Sequence, residues 1–362
     1  IEFKLMTNIP SLKYAFKKML IPLIKNKTPL IDLRAPIEFS SGTVPTSINL
    51  PILFDEERSI VGKTYNDQGQ QAAKDIGYNL VSGKLKEQRV AAWKEFLDDN
   101  PNSKLYCARG GERSKIAQNW LKEVGINIER VDGGFKALRN TCMDILETAS
   151  NDQKEWIIIA GKTGSAKTKI INKFKNGIDL ESLANHRGSA FGGYDTPQPT
   201  PINFENNLAF KYLDVLSNHI FFEDESRTIG RLVIPEKFYH KMSLSNFVLI
   251  EEPIEKRIEN IYNEYVVRNL KKKNTVELSI YLRKKLAKIS NRLGGVKYSQ
   301  VDKLIQNAFE NSDEENHYKW IEILLISYYD KMYEYQLEQK KDRCIHIGSW
   351  LEIFEYLSNY KS

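Results

Sequence analysis

Cysteine is scarce in this 362-residue chain: Cys107, Cys142 and Cys344 are the only three. So few, and an odd number, exclude a disulfide framework and point to a reducing compartment. No CxxC pair occurs, which removes the common zinc sites. Long apolar runs are missing as well. The most apolar stretches, such as 156–160 and 321–326, are far shorter than the ~20 residues that a bilayer requires. The first residues lack the positive start, apolar run and small-residue cleavage site of a secretory leader. Residues 1–5, ahead of Met6, are set aside from the fold reasoning. Neither an internal repeat nor a low-complexity tract is present. With 41% hydrophobic and 28% charged residues, the expectation is a cytoplasmic, membrane-free globular protein of two domains with an added helical part. A monomer is the working assumption.

What is present begins with charge. The net charge of +6 is modest but unevenly placed. Eleven basic residues lie between 268 and 303: Arg268, Lys271, Lys272, Lys273, Arg283, Lys284, Lys285, Lys288, Arg292, Lys297 and Lys303. Only Glu277 and Asp302 oppose them, so the segment carries +9 and the remainder −3. A local basic surface on a near-neutral body fits a polyanionic partner; a solvated helix face is the plainer alternative.

Apolar periodicity divides the chain. Residues 6–148 read as alternating strands (29–33, 104–107, 128–131) and helices (70–80, 84–97, 112–124, and one ending near 146), the mark of a parallel α/β sheet. Residues 149–265 begin again with a strand at 156–160, a Gly-rich turn and a helix from about 167, with later strands at 219–222 and 247–250. From 266 to 362 the pattern is helical, packed on or continuing the second domain, within a run of charged helices predicted at 254–269, 275–293, 300–309 and 314–340.

Two loops carry chemistry. In the first, Cys107 ends a strand and Ala108-Arg109-Gly110-Gly111-Glu112-Arg113-Ser114 leads into a helix. Backbone N–H groups converging at a helix start favour an anion, and Arg109 and Arg113 add positive charge, so the loop suits a thiolate, a persulfide, a perselenide or an oxyanion. An inert strand-end cysteine is the plainer reading; Gly110, Gly111 and the arginines argue against it. Asp32-Leu33-Arg34, Pro36, Glu38-Phe39, Gly42-Thr43-Val44-Pro45 and Ile48-Asn49-Leu50-Pro51, with Val131-Asp132-Gly133-Gly134-Phe135 near the end, resemble the opening and closing signatures of a rhodanese domain. That resemblance implies Cys107 as the chalcogen-carrying nucleophile; Cys142, in a helix, and Cys344, far downstream, read as structural. Cys107 and Arg113 also have the spacing of cysteine-dependent phosphatases, although Tyr106 stands where those have histidine and no general-acid aspartate follows in the loop. A phosphatase fused to a nucleotide-binding domain therefore stays open as an alternative.

The second loop follows the 156–160 strand: Gly161-Lys162-Thr163-Gly164-Ser165-Ala166-Lys167-Thr168. It resembles the P-loop, in which N–H groups wrap a diphosphate, the lysine neutralises oxygens and the final hydroxyl binds Mg²⁺. Ala166 replaces the second glycine and fits where φ is negative. The run 219–222 ends in Glu223, Asp224 and Glu225; Asp224 is the carboxylate expected at the metal, directly or through water, with Thr168 as its partner.

A rhodanese domain followed by a P-loop domain is the order found in bacterial tRNA 2-selenouridine synthases, which this chain resembles from about residue 28 to 270. The segments Leu183-Ala184-Asn185-His186-Arg187-Gly188-Ser189-Ala190-Phe191-Gly192, Glu223-Asp224-Glu225-Ser226-Arg227, Gln198-Pro199 and Phe204-Glu205-Asn206 are similar to that family, as is the stretch around Thr64-Tyr65, Gly69 and Ala72-Ala73. The resemblance implies tRNA as partner, geranyl diphosphate and selenophosphate (or the enzyme that makes it) as reactants, and Mg²⁺. His186 and Arg187 become candidates for the diphosphate or a tRNA phosphate. Two other classes remain to be separated from this one: an NTP-dependent tRNA sulfurtransferase, and a noncatalytic RNA-binding protein.

Overall fold

The computed structural model describes residues 19–360. Residues 6–18, the start of the expected first domain, lie outside the described residues. Internal contacts separate two compact units, residues up to Thr148 with Pro199–Asp214, and Ala149–Gln198 with Val215 onward.

The first unit is built on a parallel sheet in the order β2-β1-β3-β4, with β1 Leu30–Asp32, β2 Ser47–Asn49, β3 Lys104–Tyr106 and β4 Glu129–Arg130. Helices Gly83–Asp99 and Glu112–Glu123 bury Val90, Trp93, Leu97, Ala117, Trp120 and Leu121 against it. Trp93 and Trp120 stack at 6.1 Å. Helix Pro201–Asp214 belongs to this unit, whereas the sequence reading ran the second domain unbroken from 149 to 265. It is tied in by polar side chains: Asn203 Oδ1 accepts from the Thr43 N–H at 2.8 Å, Asn206 donates to the Thr43 carbonyl at 2.7 Å, and Arg139 pairs with Glu205. Such long-range polar contacts leave no periodic trace in a sequence.

The second unit holds a parallel sheet in the order β11-β10-β5-β7-β6: β5 Glu155–Gly161, β6 Gly177–Ile178, β7 His219–Glu223, β10 Asn246–Ile250 and β11 Cys344–Gly348. A short hairpin, β8 Thr228–Ile229 with β9 Leu232–Val233, stands apart from it. Every residue of β5 from Trp156 onward is buried, as expected of a central parallel strand covered on both faces. Strand β11 corrects the expectation of a purely helical end: residues 344–348 pair with β10 and extend the sheet. Its Ile345-His346-Ile347 lacks an apolar run, as befits a half-exposed edge. Helix Trp350–Ser358 then buries Ile353 and Leu357, capped by Ser349, whose side chain accepts from Glu352 N–H.

The charged helices after Pro253 pack on one another around Leu278, Leu282, Leu286, Val301, Ile305, Trp320 and Leu324. Two predicted continuous helices contain a π turn, at Asn263–Val267 and Leu325–Tyr329. Such turns are frequent near functional sites, and residues of both line the cleft described below.

Candidate active sites

In the first unit, Cys107 follows β3 and is almost fully buried, its sulfur 3.5 Å from Ser114 Oγ. The loop is braced from the closing segment: Phe135 N–H donates to the Cys107 carbonyl at 2.9 Å and Lys136 N–H to that of Ala108 at 3.1 Å. Gly134 (φ +58°) makes this close approach possible, since a Cβ there would lie 2.1 Å from the Cys107 carbonyl oxygen. Below the loop, Asp32 and Arg34 form a buried bidentate pair, and the Tyr106 hydroxyl donates to Asp32 at 2.7 Å. Tyr106 thus serves the scaffold, and burial together with Asp32 raises its pKa.

The two loop arginines differ. Arg113 turns to Glu38, at 2.6 and 3.1 Å. Burial opposes its charge, but Glu38, with Cys107 and Asp32 nearby, outweighs that and raises its pKa. Burial likewise opposes ionisation of Glu38, and Arg113, the Ala35 N–H and Arg58 reverse the balance, lowering its pKa. Arg109 is exposed and has no ion pair among the described residues. An Arg113 committed to a carboxylate is not poised to clamp a phosphate over the loop, which disfavours the phosphatase alternative. Cys142 is buried in helix Gly134–Thr148, which pushes its thiol up to about 12. Cys344 sits half-buried on β11, 3.5 Å from the His346 carbonyl.

In the second unit, β5 runs through the loop Gly161–Ala166 into helix Lys167–Ile171. Ala166 has φ +61°, ψ 37°. The negative φ at which alanine fits is not the one found: the position keeps the left-handed conformation and alanine is strained into it. The surroundings hold it there. Trp350 Nε1 donates to the Ala166 carbonyl at 3.2 Å, Arg257 Nε to that of Thr163 at 2.9 Å, and Asn260 to that of Gly164 at 2.9 Å. Lys167 folds back onto the Gly161 carbonyl at 2.7 Å, and Lys162 pairs with Glu334 at 2.7 Å. Among the described residues the buried Ser165 hydroxyl has no partner.

Asp224, expected at the metal, is bound elsewhere: Lys340 Nζ lies 2.6 Å from Oδ1, and the Tyr333 hydroxyl donates to Oδ2 at 3.1 Å. The carboxylates beside Thr168 are Glu181 and Glu223. Thr168 donates to Glu181 Oε2 at 3.2 Å. Glu223 is 1% exposed and, among the described residues, neither of its oxygens has a well-formed hydrogen bond, although the Thr168 hydroxyl is near enough to oppose the rise in its pKa. Burial, then Glu181, Asp179 and Glu225, raise its pKa well above the usual carboxylate range. Burial also lifts Glu181 to about 7, against the opposing charge of Lys167, and Glu225 to about 8, with Glu181 adding to the rise. Among the described residues, no three or more His, Cys, Asp or Glu side chains are arranged to hold a metal alone. Mg²⁺ needs no such cage, because it keeps waters and takes one or two carboxylates together with phosphate oxygens. The orphaned oxygens of Glu223 beside a threonine hydroxyl fit that donor set.

The loop opens into a cleft of about 1190 Å³ lined by Lys167, Thr168, His186, Arg187, Arg268 and Arg292 among others. Arg187 pairs with Glu264 at 2.6 Å and lies between the rings of Tyr194 and Tyr265, at 4.4 and 4.8 Å. Burial opposes its charge; Glu264 restores it, and the pKa rises. The buried His186 Nδ1 has no partner among the described residues, and burial, with Lys285 and Lys288 nearby, lowers its pKa. Both residues therefore share a cleft with the phosphate loop. The sequence reading missed Glu181 and Tyr333, which no motif flags; a carboxylate 13 residues after Thr168 becomes a neighbour only through the turn of helix Leu180–Ala184. Of the basic segment, Arg268, Lys271, Lys272, Lys284, Lys288, Arg292, Lys297 and Lys303 are exposed, whereas Lys273 and Arg283 are paired with Asp195 and Asp302.

Comparison with known proteins finds a family match on each side of residue 148. A family model described as the tRNA 2-selenouridine synthase AAA domain matches residues 154–362, and a rhodanese-like domain matches 17–141. Proteins named tRNA 2-selenouridine synthase are similar over nearly their whole length. The one from Sulfurovum sp. (strain NBC37-1) is 43% identical over 353 residues, 94% of this chain and 97% of the relative. That of Shewanella frigidimarina (strain NCIMB 400) is 42% identical over 369 residues, 98% and 99%, and that of Shewanella sp. (strain ANA-3) 44% over 347 residues, 92% and 95%. Among solved structures, the N-terminal domain of a putative ATP/GTP binding protein from Clostridium difficile 630 matches 32% of this chain and 88% of its own at 32% identity, with a TM-score of 0.30.

Proposed function

The chain belongs to the tRNA 2-selenouridine synthase family, and from that premise we propose that it converts wobble 2-thiouridine to 2-selenouridine through an S-geranyl intermediate. In the first step the thiouridine sulfur attacks C1 of geranyl diphosphate, the C–O bond breaks, and diphosphate leaves with the electron pair. Lys167 swings from the Gly161 carbonyl to the phosphate oxygens, and the loop N–H groups meet the charge that develops there. His186 and Arg187, across the same cleft, orient the diphosphate or a tRNA phosphate. Mg²⁺, when bound, neutralises the departing diphosphate; Thr168 and Glu223, with Glu181, would hold it.

In the second step the selenium of selenophosphate attacks C2 of the base, the C2–S bond breaks and geranylthiolate leaves, and water then cleaves the P–Se bond to release phosphate. Cys107 holds the selenium donor at the loop without forming an S–Se bond, with Arg109 meeting the incoming anion and Arg113, anchored by Glu38, adding positive charge at the loop. The exposed lysines and arginines between 268 and 303 bind the tRNA through its phosphates. No described helix is long and apolar enough to cross a membrane, which suits a cytoplasmic RNA-modifying enzyme.

The observation carrying this reading is the phosphate loop opening into a large cleft that Arg268 and Arg292 line. A loop of this kind reads phosphates and not a base, so a prenyl diphosphate suits it as well as a nucleotide. The test is mass analysis of tRNA nucleosides after incubation with geranyl diphosphate and selenophosphate. Selenouridine forms with wild-type protein; with Cys107→Ser, geranylated thiouridine accumulates. Turnover of ATP, with no thermal protection by geranyl diphosphate, would replace this reading with an NTP-dependent sulfurtransferase.

A further inference from the structure

The 26-residue helix Asp55–Leu80 of the first unit is poorly packed for its length: Ala73 is its only buried residue. Gly69 (φ +87°, ψ −174°) breaks it into two arms, and between the arms and helix Glu112–Glu123 lies a pocket of about 330 Å³. Val61 and Tyr65 line it from one arm, Ala73 and Gly77 from the other, and Ile116 and Trp120 from the facing helix. Tyr65 and Tyr78 stand more than 45% exposed at this pocket. The phosphate loop makes no use of it, and Cys107 itself does not line it.

Its position ties it to Cys107. Ile52, Leu53, Val81 and Trp120 line the pocket and belong to the same hydrophobic cluster as Cys107. Glu112 and Arg113, the residues at the start of the helix that follows the cysteine loop, also line it, and Lys74 pairs there with Glu112 at 2.8 Å. An apolar cavity of ~150 Å³ accepts a six-carbon ring, so one of about 330 Å³ accommodates a chain of around ten carbons. Apolar lining against charged residues from the cysteine loop fits a hydrocarbon tail whose sulfur end is the reacting atom.

We propose that this pocket binds the geranyl chain of the S-geranyl thiouridine, and then of the departing thiol, during the selenium step at Cys107. The proposal rests on the S-geranyl reading above and adds where the chain is held. It also gives the glycine at 77 a purpose. A Cβ there would meet only Val61 Cγ2, at 3.7 Å, so the absent side chain is space left open rather than space required by a neighbour.

Gly77→Leu fills the pocket while favouring the helix, and is tested in the full chain with two probes. Geraniol is titrated while Trp120 fluorescence and heat are followed. Wild type binds it, and Gly77→Leu binds it roughly tenfold more weakly or worse, the loss expected from excluding two methylenes. In turnover, kcat/KM of Gly77→Leu falls by a similar factor on S-geranyl tRNA and is unchanged on S-methyl tRNA. Absence of geraniol binding at millimolar concentration in wild type overturns the proposal, as does equal binding by the variant or an equal fall on both tRNAs. Geraniol binding that Gly77→Leu abolishes, without wild-type turnover of S-geranyl tRNA, upholds the pocket and refutes the S-geranyl route.

Discussion

Replacing Ala166 by glycine tests how the phosphate loop is built. At φ +61° the alanine Cβ crowds its own backbone, a cost of about 1–2 kcal/mol that glycine does not bear. Glycine brings its own penalty of about 0.5–1 kcal/mol, because the unfolded chain gains freedom. The net expectation is a stabilisation of about 0.5–1 kcal/mol, or about 1–4 °C in Tm for a unit of this size. The loop has little scope to relax around alanine, since Trp350 and Asn260 bond the carbonyls of Ala166 and Gly164 and Arg257 that of Thr163. Calorimetry of the full chain supplies the measurement, with Ala166→Val as the opposite control: a β-branched residue tolerates positive φ less well and lowers the melting point. If residue 166 had negative φ, Ala166→Gly would destabilise by about 0.5–1 kcal/mol. A fall in Tm for Ala166→Gly therefore refutes the left-handed assignment and the argument that alanine is held in a glycine's conformation.

Three further outcomes are expected. Gly134→Ala places a Cβ 2.1 Å from the Cys107 carbonyl oxygen at positive φ, and loses about 2–5 kcal/mol in denaturant unfolding; Gly111→Ala, whose Cβ meets nothing within 4 Å, leaves stability within about 0.5 kcal/mol. The folded-state pKa values of Glu181 and Glu225, about 7 and about 8, and of Glu223 lie above the usual 4.5. The folded state therefore holds extra protons between, so this contribution to stability is full below about pH 4.5 and is lost as the pH rises towards 8. Thermal unfolding of the metal-free protein across pH 5–8.5 falls more steeply for wild type than for Glu223→Gln; parallel profiles would contradict the raised values. Finally, Lys284→Ala and Lys288→Ala weaken tRNA binding and reduce its dependence on salt by about one unit of slope per lost phosphate contact, read from Kd between 50 and 200 mM salt; an unchanged slope would remove these lysines from the interface.

Much of the frame of the two candidate loops was legible because it is local. Cys107 with two glycines and a helix start, and Gly161 through Thr168 between a strand and a helix, are contiguous arrangements whose backbone geometry follows from neighbouring residues. The apolar run 156–160 announced the central strand for the same reason. Which carboxylate stands beside Thr168 was not legible. Glu223, Asp224 and Glu225 are adjacent, and consecutive strand residues point to opposite faces. Which one meets Thr168 depends on Lys340 and Tyr333 claiming Asp224, more than a hundred residues away.

By itself, the sequence determined two α/β units, the strand–loop–helix frames around Cys107 and Gly161–Thr168 and the concentration of positive charge after residue 267, since periodicity, turn chemistry and charge are properties of short segments. Tertiary structure alone decided that residues 201–214 join the first unit, that 344–348 complete the second sheet, that Arg113 faces Glu38, and that a kinked helix leaves a pocket beside the cysteine cluster. Those outcomes turn on packing and on competition for partners between distant residues, which a single chain read in order does not contain.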